Sequence, residues 1–396
     1  MISERMFKVG KAKSIIRIMY DWGCERAAKI GSENVFDFSL GNPNIDTPKE
    51  VSDRIVHLIQ NENSVAIHGY TNLQGDFQVR EKIAAYLNQK FHTCLEKENI
   101  YMTGGATAAL RICFMALCNP GDEIIIFAPF FPEYLSCAEE ALATPCIIPA
   151  KTDDFQIDLN KLEKAINEKT KAIVVNSPNN PSGAVYSRET IENLASLLYK
   201  KEEAYGHPIF LISDEPYREI VYDEIEVPYV MNYYKDTLTC YSFSKSLSLP
   251  GERIGYLVIP PDIADYESLF VAICGGARYV GQVNAPSLFQ RIAGDCIGAL
   301  SDISIYKKNR DLLYEALKSY GYHCVEPQGA FYLFVKAFGE DAVDFCERAK
   351  KYNLVLLPGN DFGCPGYVRL AYCVSTHTII KSLPSFEKLA KEYKEI

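Results

Sequence analysis

The sequence contains no Cys-x-x-Cys pair and no His-Glu-x-x-His, although it has thirteen cysteines and six histidines in 396 residues. Such spacings are what gather ligands around a metal ion, so their absence argues against a metal site. The cysteines are odd in number and scattered from Cys24 to Cys373. In a chain too large to need disulfide staples, they are expected to be free thiols in a reducing cytoplasm. Long apolar runs are missing too. The best, Ile124 to Phe131, is interrupted by Pro129 and falls far short of the roughly 20 residues of a membrane helix. The first eight residues lack the apolar stretch of a secretion signal. Basic charge is in deficit, with 41 Lys and Arg against 51 Asp and Glu, a net charge of −10. A nucleic-acid backbone or an anionic membrane is therefore repelled on average, though a local basic pocket can still hold a small anion. Internal repeats and low-complexity tracts are absent.

What is present is an ordinary globular composition, 48% apolar and 23% charged, long enough for two domains. Short apolar runs alternate with helical stretches from about residue 100. Ile100–Met102, Glu123–Phe127, Ala172–Asn176, Ile209–Ser213, Leu238–Tyr241 and Tyr256–Ile259 read as strands, and 106–118, 132–142, 158–166 and 187–204 as helices. That alternation predicts an α/β fold with a mainly parallel sheet. The carboxy-terminal part reads as one long helix near 285–319, then strands at Gly329–Phe334 and Val368–Tyr372, a smaller α+β domain. The expected division is an arm and part of the small domain over 1–45, a large domain over 46–285 and the small domain over 286–396.

Four segments carry chemistry. In Tyr241-Ser242-Phe243-Ser244-Lys245, followed eight residues later by Arg253, an amine nucleophile stands beside hydroxyls and an arginine able to hold a phosphate. Asp214-Glu215-Pro216-Tyr217 follows an apolar strand, which puts a carboxylate at a strand's carboxyl end, where ligands of parallel sheets bind. Asn176-Ser177-Pro178-Asn179-Asn180-Pro181 follows another strand, and Thr103-Gly104-Gly105-Ala106-Thr107 joins a strand to a helix start, where free backbone N–H groups cradle phosphate. Taken singly, each also reads as an ordinary turn or a solvated loop.

Together, in this order and over nearly the whole chain, the four segments resemble the class I/II aminotransferases of the pyridoxal phosphate (PLP) dependent aspartate aminotransferase superfamily. The resemblance implies a PLP-transferase-like large domain in which Lys245 holds the cofactor as a Schiff base. It implies that Ser242, Ser244 or both, with Arg253, hold the phosphate, joined by the backbone of Gly105-Ala106 and the hydroxyl of Thr107. Asp214 then pairs with the ring nitrogen, and Tyr217 and Asn180 with the ring oxygen. Phe131, in Pro129-Phe130-Phe131-Pro132, is similar to the residue that stacks on the ring, where relatives often carry Trp or Tyr. His68-Gly69-Tyr70 resembles the segment whose tyrosine reaches the partner subunit's cofactor, which makes the expected assembly a homodimer with shared sites. Arg369, with Gly41 and Asn180, is placed by the same resemblance at the substrate carboxylate. It also implies cis peptide bonds at Ala128-Pro129 and Asn180-Pro181.

The implied reaction moves an amino group from an L-amino acid, aspartate-like or broad-range, to a 2-oxo acid, with Lys245 as both Schiff-base amine and proton carrier. A carbon–sulfur lyase on the same fold is the alternative, because fold and cofactor do not fix the reaction. A ligand-sensing regulator is a third reading, disfavoured because the roughly 30 residues before Asp37 leave no room for a helix-turn-helix module. Lys13-Ser14-Ile15-Ile16-Arg17 is expected to close over the side-chain pocket, or else to be an amphipathic helix packed on the small domain.

Overall fold

The structure, a computed structural model, describes residues 2–11, 14–339 and 341–394. The first strand, β1 (Phe36–Asp37), stands apart from the large sheet. The large sheet takes its seven strands from β2 (Ile100–Thr103), β3 (Glu123–Phe127), β4 (Thr144–Ile148), β5 (Thr170–Asn176), β6 (Phe210–Asp214), β7 (Thr237–Ser242) and β8 (Gly255–Val258). Their order is β2-β8-β7-β6-β5-β3-β4, with β8 antiparallel to both neighbours and every other pairing parallel. This is the mainly parallel α/β sheet expected. Its inner strands read as unbroken apolar runs because helices cover both faces: Ile124, Ile125, Ala172, Ile173, Leu211 and Ile212 have no exposed surface. Each such isoleucine or leucine contributes about 1.5–3 kcal/mol of burial.

Two segments differ from expectation. The stretch near 285–319 is two helices, Ser287–Asp295 and Ser304–Tyr320. Between them Gly298 takes φ +87, a left-handed conformation that breaks the helix while the apolar spacing continues on either side. β4 is a strand with no clear sequence signal. It lies at the sheet edge with its first residues exposed, and it includes Pro145, which an edge tolerates and an inner strand does not.

The second sheet joins β9 (His323–Cys324), β10 (Tyr332–Lys336), β12 (Leu357–Pro358) and β13 (Tyr367–Ala371) in the antiparallel order β12-β13-β10-β9. β11 (Leu354–Val355) pairs in parallel with β1 instead. That pairing ties the amino-terminal part to the carboxy-terminal part. One apolar core accordingly combines Met19, Val35, Phe36 and Phe38 with Tyr306, Leu333, Phe345 and Phe386. The helix Ile15–Ile30 starts at Ser14, whose hydroxyl accepts from Arg17 N, and Ile15 and Ile16 pack against the same core. Lys13 lies outside the described residues.

Candidate active site

The strand ends of the large sheet converge on one cavity of about 250 Å³. β6 ends at Asp214 and pairs there with Asn176, the last residue of β5. Asn176 fixes both elements, since its Nδ2 donates to Asp214 O at 2.8 Å and its Oδ1 accepts from Asn180 N at 2.8 Å. β7 ends at Ser242, which caps the short helix Phe243–Ser246 and so brings Lys245 round into the cavity. The Ser242 hydroxyl donates to Ser244 Oγ at 2.7 Å and accepts from Ser244 N at 3.2 Å.

The helix Ala106–Leu117 points its amino terminus at the same space. Gly105, just before it, has φ +93, and a Cβ there would come within 3.0 Å of the Arg253 guanidinium. The glycine therefore serves both the left-handed turn and the close approach of the arginine. Arg253 itself donates to Pro250 O at 3.1 Å.

Twelve of the fourteen residues singled out in the sequence line this cavity: Gly41, Ala106, Thr107, Phe131, Asn180, Asp214, Tyr217, Ser242, Ser244, Lys245, Arg253 and Arg369. Gly105 stands immediately behind, against Arg253. Tyr70 does not join them. It is 96% exposed, and the chain supplies it no place in the cavity. Both expected cis bonds are present, and Ser177-Pro178 is a third that was not anticipated.

The electrostatics are unusual for a protein interior. Asp214 is buried, with Oδ2 accepting from the Tyr134 hydroxyl at 2.6 Å and Oδ1 without a partner. Burial pushes its carboxyl up from 3.8 to about 7, against the lowering effect of Tyr134 and with a small push from Glu215. Burial also pulls the Lys245 ammonium down from 10.5 to about 8; the nearby Cys373 thiol opposes this, while Arg369 and Arg253 add like-charge repulsion. Its Nζ donates to Gly41 O at 2.7 Å. Arg369 is 2% exposed, donates to Asn180 Oδ1 at 3.1 Å and Ser39 O at 2.5 Å, and keeps Nε unpartnered. Desolvation lowers the pKa of its guanidinium. A buried arginine, a buried carboxylate oxygen and a lysine of lowered pKa in one cleft mark a site poised for charged ligands.

Two residues here had no sequence signal. Tyr134 lies in the helix Glu133–Glu140, three residues beyond Phe131, with nothing in its spacing to connect it to Asp214. Tyr332 sits in β10, whose Phe331-Tyr332-Leu333-Phe334 run reads as plain core. Yet its hydroxyl is 2.8 Å from that of Tyr217, and the Arg369 guanidinium lies 4.7 Å from its ring centre. A Cβ at Gly41 would collide with that hydroxyl, which gives the glycine a physical reason. Ile16 also lines the cavity, so the amino-terminal helix both packs on the core and faces the site.

The chain is similar to known proteins over nearly its whole length. The family model described as Aminotransferase class I and II matches residues 33–383. An aspartate aminotransferase of Thermotoga maritima is 32% identical over 98% of this chain and 96% of its own length. The crystal structure of an aminotransferase from Eubacterium rectale superposes with a TM-score of 0.97 at 52% identity, covering 99% of both chains. Aspartate aminotransferase from Thermus thermophilus with maleate superposes at 0.86 and 26% identity, over 98% of this chain and 99% of its own. These matches leave the carbon–sulfur lyase alternative without support. The chain belongs to the class I and II aminotransferase family and is an aminotransferase.

Proposed function

We propose that this aminotransferase holds PLP on Lys245 and moves an amino group from an aspartate-like or broad range of L-amino acids to a 2-oxo acid. The observation that carries the cofactor assignment is the buried, unpartnered Oδ1 of Asp214 in the same cavity as Lys245. A buried carboxylate oxygen without a partner is costly, and a protonated ring nitrogen supplies what it lacks. The donor set fits the rest of the group as well: Arg253, Ser242, Ser244, Thr107 and the backbone at Gly105-Ala106 suit a phosphate dianion, Phe131 a ring face, and Tyr217 with Asn180 a ring oxygen. Bound there, PLP supplies an aldehyde carbon for the amino group and a protonated ring that draws electrons from the substrate's α-carbon.

The chain's own residues do the remainder. Arg369, anchored by Ser39 and Asn180, clamps the α-carboxylate with its planar fork, and Gly41 lies beside it in the cavity. Lys245, with a pKa brought down to about 8, is neutral often enough near neutral pH to accept a proton at Nζ and return it. The substrate range is supported from two sides. Relatives named aspartate aminotransferase favour an acidic donor, whereas Ile16 on the cavity wall favours apolar side chains.

Tyr70, almost fully exposed and near the exposed Val65 in sequence, supports a homodimer in which it reaches the partner's cofactor. The core that joins Met19, Val35, Phe36 and Phe38 to residues from Tyr306 onward supports a small domain drawn from both ends of the chain, beside a large domain that begins near residue 46. The expected boundary at 286 moves to about 300, because Ile292, Ala293 and Cys296 pack with Ile100 and Met102. No described helix is long and apolar enough to cross a membrane, and the free cysteines suit the cytoplasm. Reconstitution with PLP followed by a donor screen with 2-oxoglutarate tests the function. Visible cofactor absorbance that donors bleach and 2-oxoglutarate restores is expected, and Lys245→Ala should lose both that absorbance and turnover. Undiminished turnover by Lys245→Ala would overturn the assignment.

A further inference from the structure

We propose that Tyr332 is a positioning residue of this site, fixing and polarising the Tyr217 hydroxyl and coupling it to the carboxylate end of the cavity. This rests on the reading that Tyr217 faces the cofactor's ring oxygen. Three contacts meet on Tyr332, which is 2% exposed. Its hydroxyl is 2.8 Å from that of Tyr217. Its ring lies 4.7 Å from the Arg369 guanidinium carbon. Gly41, whose carbonyl accepts from Lys245 Nζ, passes so close that any side chain there would strike the Tyr332 hydroxyl.

Proton accounting gives the pair a direction. If Tyr217 donates to Tyr332, Tyr217 offers the cavity only lone pairs. If Tyr332 donates, Tyr217 keeps its own O–H for the cavity. An ionised ring oxygen accepts hydrogen bonds and cannot donate them, so the loaded site selects Tyr332 as donor. A hydroxyl that accepts a hydrogen bond becomes a stronger donor, and the Arg369 cation over the Tyr332 ring strengthens the first link. The charged and titratable groups facing the pair are Arg369, Lys245, Asp214, the Cys373 thiol and the hydroxyls of Tyr134 and Tyr306. Burial keeps both tyrosines protonated, with Tyr332 pushed up to about 12 and Tyr217 above its ordinary value. Neither needs to titrate. Their effect is to stabilise charge on the ring oxygen and so to loosen the proton held at the Lys245 nitrogen beside it.

The test is a spectrophotometric pH titration of the PLP-loaded protein as wild type, Tyr332→Phe, Tyr217→Phe and the double variant. Tyr332→Phe should raise the titration midpoint by about half to one pH unit, the order that one hydrogen bond supports. It should lower kcat by about three- to tenfold while leaving KM within about twofold, because the ring beneath Arg369 remains. The double variant should match Tyr217→Phe alone, since Tyr332 acts through Tyr217. An unchanged midpoint in Tyr332→Phe, or additive shifts in the double variant, would overturn the proposal. Incorporation of 3-fluorotyrosine at position 332 keeps the fold and strengthens the donor, so the midpoint should move down; an upward shift would also overturn it. If wild-type protein shows no pH-dependent cofactor absorbance at all, the reading of the site fails instead.

Discussion

Asp214→Asn removes a charge while keeping the side chain's shape, and its effect on stability differs with and without cofactor. In the cofactor-free protein burial raises the Asp214 carboxyl from 3.8 to about 7. The folded state therefore holds this proton over a range where the unfolded chain has released it. Linkage then makes stability fall as pH rises from about 4 to about 7, and stay level above that. The full gap corresponds to at most about 4 kcal/mol, at 1.36 kcal/mol per pH unit. Were a cofactor's protonated ring nitrogen held at Oδ1, it would offset the cost, and the loaded protein would keep that stability. Thermal unfolding between about pH 5 and pH 8 should show the gap in Tm between loaded and cofactor-free wild type widening by several °C. In Asp214→Asn the gap should widen less, because the carboxyl's share is gone and only the Lys245 contribution remains. Turnover of the reconstituted variant should fall by at least about tenfold, the lower end for losing a hydrogen bond to a charged group. Equal widening in both proteins, or full turnover in the variant, would refute the placement of Asp214.

Three other perturbations follow from the same geometry. Arg369→Ala should weaken every donor alike by roughly 2–5 kcal/mol in kcat/KM, because each presents the same carboxylate to a desolvated partner; a loss confined to some donors would reassign the arginine. Removing residues 1–17 takes Ile16 from the cavity wall and should raise KM for donors with large side chains more than for alanine; an equal change would leave the amino-terminal helix a packing element only. Gly41→Ala forces a methyl onto the Tyr332 hydroxyl and should cost about 1–3 kcal/mol of stability, read from denaturant unfolding. Adding Tyr332→Phe should recover part of that loss, and no recovery would show that the crowding lies elsewhere.

The four segments legible in the sequence without the family pattern share one property: they stand at strand ends or directly after them, whereas Arg369, in the middle of β13, is brought to attention by the resemblance alone. Asp214 closes β6, Asn180 follows β5, Ser242 closes β7 and Gly105-Ala106 follows β2. A parallel sheet delivers its carboxyl ends to a common edge, so local patterns there predict a shared site without knowledge of the rest of the fold. Tyr134 and Tyr332 escape that logic. Both are aromatic residues in apolar surroundings, where the hydrophobic period is satisfied whichever way the hydroxyl points. Only the packing of a helix against β6, or of β10 against the segment after it, decides that one hydroxyl meets Asp214 and the other Tyr217. Gly41 shows the dependence from the opposite side. The family pattern brings it to attention, but its reason is a side chain almost 300 residues away in sequence, which no local rule reaches. Tyr70 is a further case, since its 96% exposure gives it no partner in the cavity. The legible part of this site is therefore what backbone topology collects. The illegible part is what hydroxyl direction and inter-element contact add to it, the Tyr134 hydroxyl on Asp214 and the Tyr332 hydroxyl on Tyr217.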